Sequence, residues 1–277
     1  MLPSNATIEY IMPAGSCPAH FDIRPSDVAL VSSADVIISL GWEPWLDSLL
    51  ESSGNTDCVV IECLGLGAWN TPTGAFSYIE RIADGLEDAF PELNETIEAN
   101  KVTYIEEINA TAQELKQLFE SKGFVGRKVV CMEWQRPFVE WLGLNVTLAY
   151  KPPEGLSASD IINISKALQD NSICAIIDNL QSGTEFGSKR AAEAGVSHIV
   201  LTNFPGALPN TDTYVDMLKY NTNQTIQGIS LFDFKQGEIK ELEETIKGLE
   251  VERNVFITLS VVLGIAAVVL GFMYRRK

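Results

Sequence analysis

Short apolar runs rich in Val and Ile alternate along the chain with longer segments whose apolar residues recur every three or four positions. The short runs predict buried parallel strands, and the longer segments predict amphipathic helices. This alternation favours an α/β fold with two lobes, each a parallel sheet flanked by helices. The predicted strands are Ile8–Met12, Val36–Leu40, Cys58–Glu62, Lys128–Met132, Ala175–Asp178 and His198–Leu201. The predicted helices of the lobes are Ser26–Ser33, Trp45–Ser53, Gly74–Ala89, Ser159–Asn171 and Thr184–Ala194.

One predicted helix is unusually long, because residues 91–122 hold no Gly, and no Pro after Pro91. Its apolar residues at helical spacing are Ile97, Val102, Ile105, Ile108, Ala112, Leu115 and Leu118. A helix of about 30 residues far exceeds the average globular helix, so we expect it to join the two lobes. The expected organisation is an N-terminal lobe (1–90), this interlobe helix (91–122), a C-terminal lobe (123–224) and a stalk (225–254).

The C-terminal segment Val255–Tyr274 carries no charged residue. As a helix it would span roughly 30 Å, which is the hydrocarbon thickness of a bilayer. The basic tail, residues 275–277, follows it and predicts a cytoplasmic C-terminus with the preceding chain outside. The sequence therefore predicts a single-pass membrane protein with an extracytoplasmic N-terminal part.

The stalk residues Ile239, Leu242, Ile246 and Leu249 recur at 3-4-3 spacing. Two heptads cannot sustain a coiled coil alone, so this segment is either a solvated stalk helix or a contributor to a weak dimer. Two pairs of small residues in the transmembrane segment could add to such a dimer. These pairs are Ser260 with Gly264 and Ala267 with Gly271.

The composition fits an outward-facing protein. The formal charge of −17 excludes nucleic acid as an expected partner. Six Asn-x-Ser/Thr sequons favour a glycosylated surface, at Asn5, Asn94, Asn109, Asn145, Asn163 and Asn223. Met1–Asn5 does not resemble a signal peptide. Either the chain inserts after translation as a tail-anchored protein, or its natural N-terminus lies upstream, and the sequons and the outward orientation favour the second.

Several motifs recur in a fixed order along the chain. They are PAHFDIRPSD (18–27), ADVIISLG (34–41), EPWL (43–46), WNTP (69–72), RIADGL (81–86), PFVEWLGL (137–144) and NFPG (203–206), followed by Thr213–Tyr214 and Asp216–Leu218. In these motifs the chain resembles the TroA-like, zinc- and manganese-type solute-binding proteins of ABC transporters. The resemblance covers about residues 8–223. It implies two α/β lobes joined by the long helix, a ligand held between the lobes, and an ABC permease as partner. It also implies that the N-terminal lobe lacks its first strand and helix.

The metal ligands that the resemblance implies, three His and one carboxylate, fall at Ala19, Gly67, Gln135 and Asn203. Only His20, one place further along, retains a ligand side chain. Amide oxygens of Gln135 and Asn203 are neutral and would hold Zn²⁺ or Mn²⁺ poorly. The standard metal site is therefore expected to be dismantled.

A second candidate set is softer. Cys17, His20, Cys63 and Met132, with Cys131, would lie at the cleft and suit Cu(I), whereas Glu62 and Glu133 could supply hard ligands there instead. The alternative is a Cys17–Cys63 disulfide, with Cys131, Met132, Cys58 and Cys174 as core residues. His198 is expected to be structural. Three tryptophans near the expected cleft would also suit a chelated metal or another organic ligand, namely Trp42, Trp69 and Trp134.

No catalytic motif accompanies these features, and the two histidines have no evident nucleophile or acid beside them in sequence. We therefore expect no enzyme. The first hypothesis is a membrane-anchored solute-binding protein that delivers a metal ion or metal-containing ligand to an ABC importer. The alternative is a surface adhesin, scaffold or sensor that keeps the fold without metal transport.

Overall fold

The N-terminal lobe is built on two parallel strands, β1 (Val36–Ser39) and β2 (Val59–Glu62), with Val36 paired to Val59. The computed structural model describes residues 6–63 and 67–275. Helices α1 (Pro25–Val31) and α2 (Leu46–Ser53) cover one face of the pair, and α3 (Pro72–Ala89) covers the other. The buried residues of the two faces are Val31, Ile37, Leu46 and Leu49, and Ile61, Ala83, Leu86 and Ile97.

The predicted strand Ile8–Met12 is wrong. Ile8 and Tyr10 are 65% and 83% exposed, and within the described residues β1 pairs only with β2. A strand is stable only beside a neighbour that accepts and donates its backbone hydrogen bonds. The apolar pattern of this segment could not show that such a neighbour was missing.

The predicted long helix is confirmed as α4 (Asn94–Ser121), 28 residues long. Its N-terminal part packs on the first lobe through Ile97, which is fully buried with Ile61 and Leu86. Its C-terminal part contacts the second lobe, where the Lys116 ammonium lies 5.3 Å from the centre of the Trp141 ring. One rigid element therefore contacts both lobes.

The C-terminal lobe holds four parallel strands in the order β4 (Asn145–Tyr150), β3 (Lys128–Met132), β5 (Ile173–Asn179), β6 (Ser197–Leu201). All seven residues of β5 are buried, as expected for a central strand with helices on both faces. Three helices accompany the sheet: α5 (Arg136–Leu142), α6 (Ala158–Leu168) and α7 (Glu185–Ala194). The α/β architecture with two parallel sheets flanked by helices is confirmed.

A buried carboxylate links three elements of this lobe. Asp178 on β5 accepts hydrogen bonds from the Tyr150 hydroxyl on β4, and its Oδ2 lies 2.7 Å from Nε2 of His198 on β6. Helix α7 approaches β5 closely at Gly187, where an added Cβ would lie 2.0 Å from Oδ2 of Asp178. His198 thus has a structural partner, in agreement with its expected role.

The last helix, α8, spans Tyr214–Arg275. The chain divides into two compact units, Met1–Ile229 and Ser230–Lys277, so the boundary falls within α8. In the first unit α8 buries Val215, Met217, Leu218 and Ile229. The second unit is helical as far as Arg275 and is exposed from Asp233 to Arg275. Among the described residues, α8 is the one helix long and apolar enough to cross a membrane. The Asn5 sequon and the tail residues Arg276 and Lys277 lie outside the described residues.

Candidate ligand site between the lobes

Two amide side chains of the candidate site lie just before helices that have proline in their first turn. Asn70 ends a 3-10 turn (Ala68–Asn70), and Thr71 then caps α3, with Pro72 in the first turn. Gln135 ends a second 3-10 turn (Glu133–Gln135) that follows β3, and α5 has Pro137 in its first turn. Proline suits these positions because its nitrogen carries no hydrogen that would need a partner. The start of each helix therefore fixes the position of the amide that precedes it.

These two amides meet a third, Asn203, just beyond the end of β6. Oδ1 of Asn203 accepts a hydrogen bond of 2.5 Å from Nε2 of Gln135 and one of 3.0 Å from Nδ2 of Asn70. Nδ2 of Asn70 also donates to the carbonyl oxygen of Trp134 at 2.8 Å. Asn70, Gln135 and Asn203, here called the amide cluster, are all buried. The cluster joins the first lobe to the second at the carboxyl ends of the parallel strands, where ligands of open α/β sheets generally bind.

Two acceptors of the amide cluster lack hydrogen bonds. Oδ1 of Asn70 and Oε1 of Gln135 are buried, and no donor among the described residues reaches either atom. A buried carbonyl oxygen without a partner costs about 1–3 kcal/mol, so each oxygen has an unused capacity to accept a hydrogen bond or a cation. The cluster thus offers neutral oxygen donors in a water-poor place.

Side chains around Asn203 hold it in position. The indole Nε1 of Trp69 donates to the Asn203 carbonyl oxygen at 2.7 Å, and Oε1 of Gln181 accepts from the Asn203 backbone nitrogen at 3.2 Å. The Trp69 ring stacks on Phe204, with ring centres 5.7 Å apart, and meets Tyr78 edge-on. Burial, with smaller contributions from Cys63 and Glu43, raises the pKa of Tyr78 to about 12. An aromatic surface therefore adjoins the polar cluster.

Gly67 also lies beside the amide cluster. A Cβ added to Gly67 would lie 3.8 Å from Nδ2 of Asn70, so a side chain at this position would start beside the cluster. Three of the four positions to which the resemblance assigned metal ligands thus lie at the amide cluster. Gly67 and Asn203 are beside Asn70, and Gln135 is beside Asn203. Sequence reasoning missed Asn70 and Gln181 as site residues, although Asn70 stood inside the WNTP motif.

The fourth position, Ala19, and its neighbour His20 lie in a separate turn, Pro18–His20. Cys17 precedes this turn and is half-buried, whereas Ala19 and His20 are exposed. Residues 6–63 and 67–275 contain no group of three or more His, Cys, Asp or Glu side chains that could hold a metal ion. Cys17, His20 and Cys63 consequently do not form a three-ligand group in the structure.

The other soft candidates are core residues. Met132 is buried among Val130, Ile164 and Ile176, and its sulfur accepts a hydrogen bond of 3.2 Å from the Trp134 backbone nitrogen. Cys131 is fully buried and lies beside it. Burial raises the pKa of the Cys63 thiol to about 11, with Arg81 lowering it and Glu43 raising it. A thiolate ligand at Cys63 would therefore have to release a tightly held proton.

The remaining candidates are the two glutamates and the three tryptophans. Nε1 of Trp42 is buried and has no hydrogen-bond partner in the described part of the chain. Glu62 is exposed, and its backbone oxygen accepts a hydrogen bond from Nε of Arg81. Glu133 is half-buried in the turn before α5. Of the three tryptophans, Trp69 and Trp134 contact the amide cluster directly.

All five cysteines are free thiols in the structure. We expect a thiol-specific maleimide to label Cys17 and Cys58, which are half-buried, within minutes under native conditions. Cys63, Cys131 and Cys174 are at most 1% exposed and should react only after unfolding. Intact mass spectrometry should count two adducts before denaturant and five after it. A maximum of three adducts in denaturant without reductant would instead indicate a disulfide such as Cys17–Cys63.

A protein-family model described as "ZnuA: Zinc-uptake complex component A periplasmic" matches residues 3–228. The chain belongs to this family. The resemblance to metal-type solute-binding proteins of ABC uptake systems is thereby confirmed, and so is the expectation that the protein binds rather than catalyses.

Two metal-binding lipoproteins are similar to this chain in sequence. The manganese-binding lipoprotein MntA of Halalkalibacterium halodurans is 26% identical over 248 residues, which cover 81% of this chain and 82% of MntA. The zinc-binding lipoprotein AdcA of Streptococcus pneumoniae is 23% identical over 260 residues, covering 78% of this chain and 50% of AdcA. This chain therefore corresponds to about half of AdcA.

Solved structures show the same fold. A periplasmic metal binding protein from Candidatus Liberibacter asiaticus superposes with a TM-score of 0.68 at 19% identity, covering 82% of this chain and 92% of that one. A crystal structure of ZnuA gives a TM-score of 0.65 at 20% identity, with coverages of 79% and 89%. The likeness extends over most of both chains.

Proposed function

We propose that this chain is the extracytoplasmic receptor of an ABC importer and that it binds a metal ion or a metal-containing compound at the amide cluster. The observation that carries the proposal is that Gln135 and Asn70 both donate to Oδ1 of Asn203, between the lobes, with Gly67 beside Asn70. Gly67, Gln135 and Asn203 are positions at which the family resemblance implied metal ligands. The proposal therefore keeps the location that the resemblance implied and changes the chemistry of the site.

The chemistry of the cluster favours a metal-containing compound over a bare ion. Zn²⁺ binds His nitrogen, Cys sulfur or carboxylate oxygen. Neutral amide oxygens are weaker donors, and they do not supply the negative charge of a thiolate or a carboxylate. A metal that already carries a chelating ligand needs only hydrogen bonds and flat apolar faces from the protein. The free oxygens of Asn70 and Gln135 can accept such hydrogen bonds, and the adjacent Trp69 and Phe204 rings supply apolar faces.

Thermal unfolding of the purified chain with Zn²⁺, Mn²⁺, Cu(I) or cobalamin, after elemental analysis without added metal, tests this proposal. A ligand present at 100 times its Kd should stabilise the fold by about 2.7 kcal/mol. We expect the chelated metal to give the larger shift, and Asn70→Ala to remove it. Asn171→Ala, an exposed asparagine in the turn before β5, is the control and should leave the shift intact. The absence of a shift with every probe would exclude the receptor function in its metal form.

A second candidate function is that of a surface adhesin, scaffold or sensor. The observation in its favour is the 2.5 Å hydrogen bond that joins Gln135 directly to Asn203. Two side chains that were expected to bind a ligand thus bind each other instead. Unchanged unfolding with all four probes would favour this function.

We also propose that Val255–Tyr274 anchors the receptor, with the preceding units outside the cytoplasm and the basic tail inside. The described part of this segment is exposed throughout, which suits a lipid environment. The five sequon asparagines that the structure describes are all exposed and open to glycosylation: Asn94, Asn109, Asn145, Asn163 and Asn223. Attachment would keep the receptor at a high effective concentration near its permease.

A further inference from the structure

The second unit carries an apolar surface that the ligand site does not use. Ile239, Leu242, Ile246 and Leu249 of α8 are 48–62% exposed. Their 3-4-3 spacing places them along one side of the helix, here called the seam. Ile at the first and third positions with Leu at the second and fourth is the pattern that favours pairing with one further helix. The seam is therefore suited to a single partner helix.

Acidic residues flank the seam on both sides. Of the five positions that border it at helical spacing, four are glutamate and the fifth is Thr245. The four are Glu238, Glu243, Glu250 and Glu252. Lys240 and Lys247 stand three or four residues from Glu243 and Glu250 and can partly offset those two charges. On the other flank, Lys235 stands three residues before Glu238 and can partly offset its charge, whereas Glu252 has no Lys or Arg three or four residues away. That flank therefore keeps a net negative charge.

These charges determine which partner fits. In a parallel pair of two copies, Glu238 would face Glu243 of the other helix, and an antiparallel pair would also set acidic flank against acidic flank. Like charges at such positions are destabilising, whereas opposite charges select the partner. A weak dimer through the stalk is thus disfavoured by its own flanks. A helix with Lys or Arg beside its apolar residues is favoured.

We propose that the seam binds an amphipathic helix with basic flanks, carried by another membrane-anchored protein. Two heptads are too short to associate firmly in solution. The seam, however, ends six residues before Val255, about 9 Å along the helix from the proposed membrane segment. A partner confined to the same membrane would have the effective concentration that so short a seam requires. The proposal rests on the membrane attachment proposed above, but not on the ligand.

Fluorescence energy transfer in uncharged phosphatidylcholine bilayers tests the proposal with the full chain. Two synthetic probes share the Ile/Leu seam and a Leu-rich transmembrane segment, and they differ only in having Lys or Glu at the flanking positions. We expect the Lys probe to associate about tenfold more tightly than the Glu probe at low salt, and 0.5 M NaCl to reduce the difference. Changing Glu238, Glu243, Glu250 and Glu252 to Lys should reverse the preference.

Two controls make the outcome decisive. Glu241→Lys with Glu244→Lys alters charge beside or opposite the seam without touching the four flanking positions, and should keep most of the preference for the Lys probe. Leu242→Asn with Ile246→Asn should abolish binding of both probes while helix content stays unchanged. Equal binding of the two probes, or self-association of the chain as strong as binding of the Lys probe, would overturn the proposal. Failure of the chain to float with vesicles would overturn the attachment and this proposal together, while leaving the ligand results untouched.

Discussion

Changing Gly67 and Gln135 to His and Asn203 to Asp should create a zinc site in the amide cluster. Gly67 already lies beside Asn70, and Gln135 and Asn203 are in direct contact. Two ligand atoms of a tetrahedral zinc stand about 3.4 Å apart, so the 2.5 Å contact between these side chains would need to open by about 1 Å. The new carboxylate would also supply the negative charge that the amides lack.

The expected effect is large. With free Zn²⁺ at about 1,000 times Kd, the variant should gain about 4.1 kcal/mol, or roughly 8–16 °C in Tm for a domain of this size. Gly67 has a φ of +77°, so a side chain there costs about 1 kcal/mol before metal is added. Scanning calorimetry with and without Zn²⁺ measures both effects.

The matched control carries Ala at the same three positions and should show no response to Zn²⁺. Wild-type protein should respond by less than a quarter of the variant's shift, because its ligands are neutral. If the variant folds, as judged by circular dichroism, and gains no stability from Zn²⁺, then these positions are not the family's ligand positions. The proposed location of the site would then be wrong.

Gly187→Ala should be among the most destabilising single substitutions in the α/β unit. The new Cβ would lie 2.0 Å from Oδ2 and 2.5 Å from Cγ of Asp178. Asp178 cannot move aside, since Tyr150 and His198 hold both of its oxygens and the residue is buried. Helix α7 must therefore separate from β5, at a cost of about 2–3 kcal/mol and about 4–12 °C in Tm.

Gly237→Ala in α8 is the control for this change. It makes the same substitution in a helix, but an added Cβ there meets nothing within 4 Å. Alanine favours helix over glycine by up to about 1 kcal/mol, and Gly237 lies outside the α/β unit, so the unfolding of that unit should not change. Equal Tm values for the two variants would mean that α7 and β5 are less closely packed than the structure has them.

The sequence predicted the central elements well because burial leaves a simple pattern. β5 is buried along its whole length, and its first five residues, 173–177, are a continuous apolar run. β4 was missed because it lies at the edge of the sheet, and its residues Asn145–Tyr150 mix polar and apolar side chains. Ile8–Met12 had the composition of a strand but no strand beside it. Pairing is a property of the neighbours, which one segment cannot reveal.

Two members of the amide cluster were among the predicted site residues, and the third was not. Gln135 and Asn203 were placed by the resemblance, and the structure brings them into contact. Asn70 was missed because an uncharged amide next to Trp69 looks like scaffold in the sequence. Its role depends on a hydrogen bond between residues 133 positions apart. Cys17, His20, Cys63 and Met132 stay a prediction as metal ligands. In the structure Cys17 and His20 lie at a surface turn, whereas Cys63 and Met132 are buried.

The lobes of this protein are joined at the proposed ligand site by groups that do not ionise. A cage of His and carboxylate side chains gains protons as the surroundings become acidic, with midpoints near pH 6.5 and pH 4, and each proton displaces metal. The amides of Asn70, Gln135 and Asn203 have no such midpoint. Contact between the lobes should thus be equally strong in neutral and mildly acidic surroundings, and cargo held there would not compete with protons for the protein's own donors. Acidification would release metal from a receptor that holds it with histidines. It should not release cargo from the proposed site of this chain by protonating the amide donors.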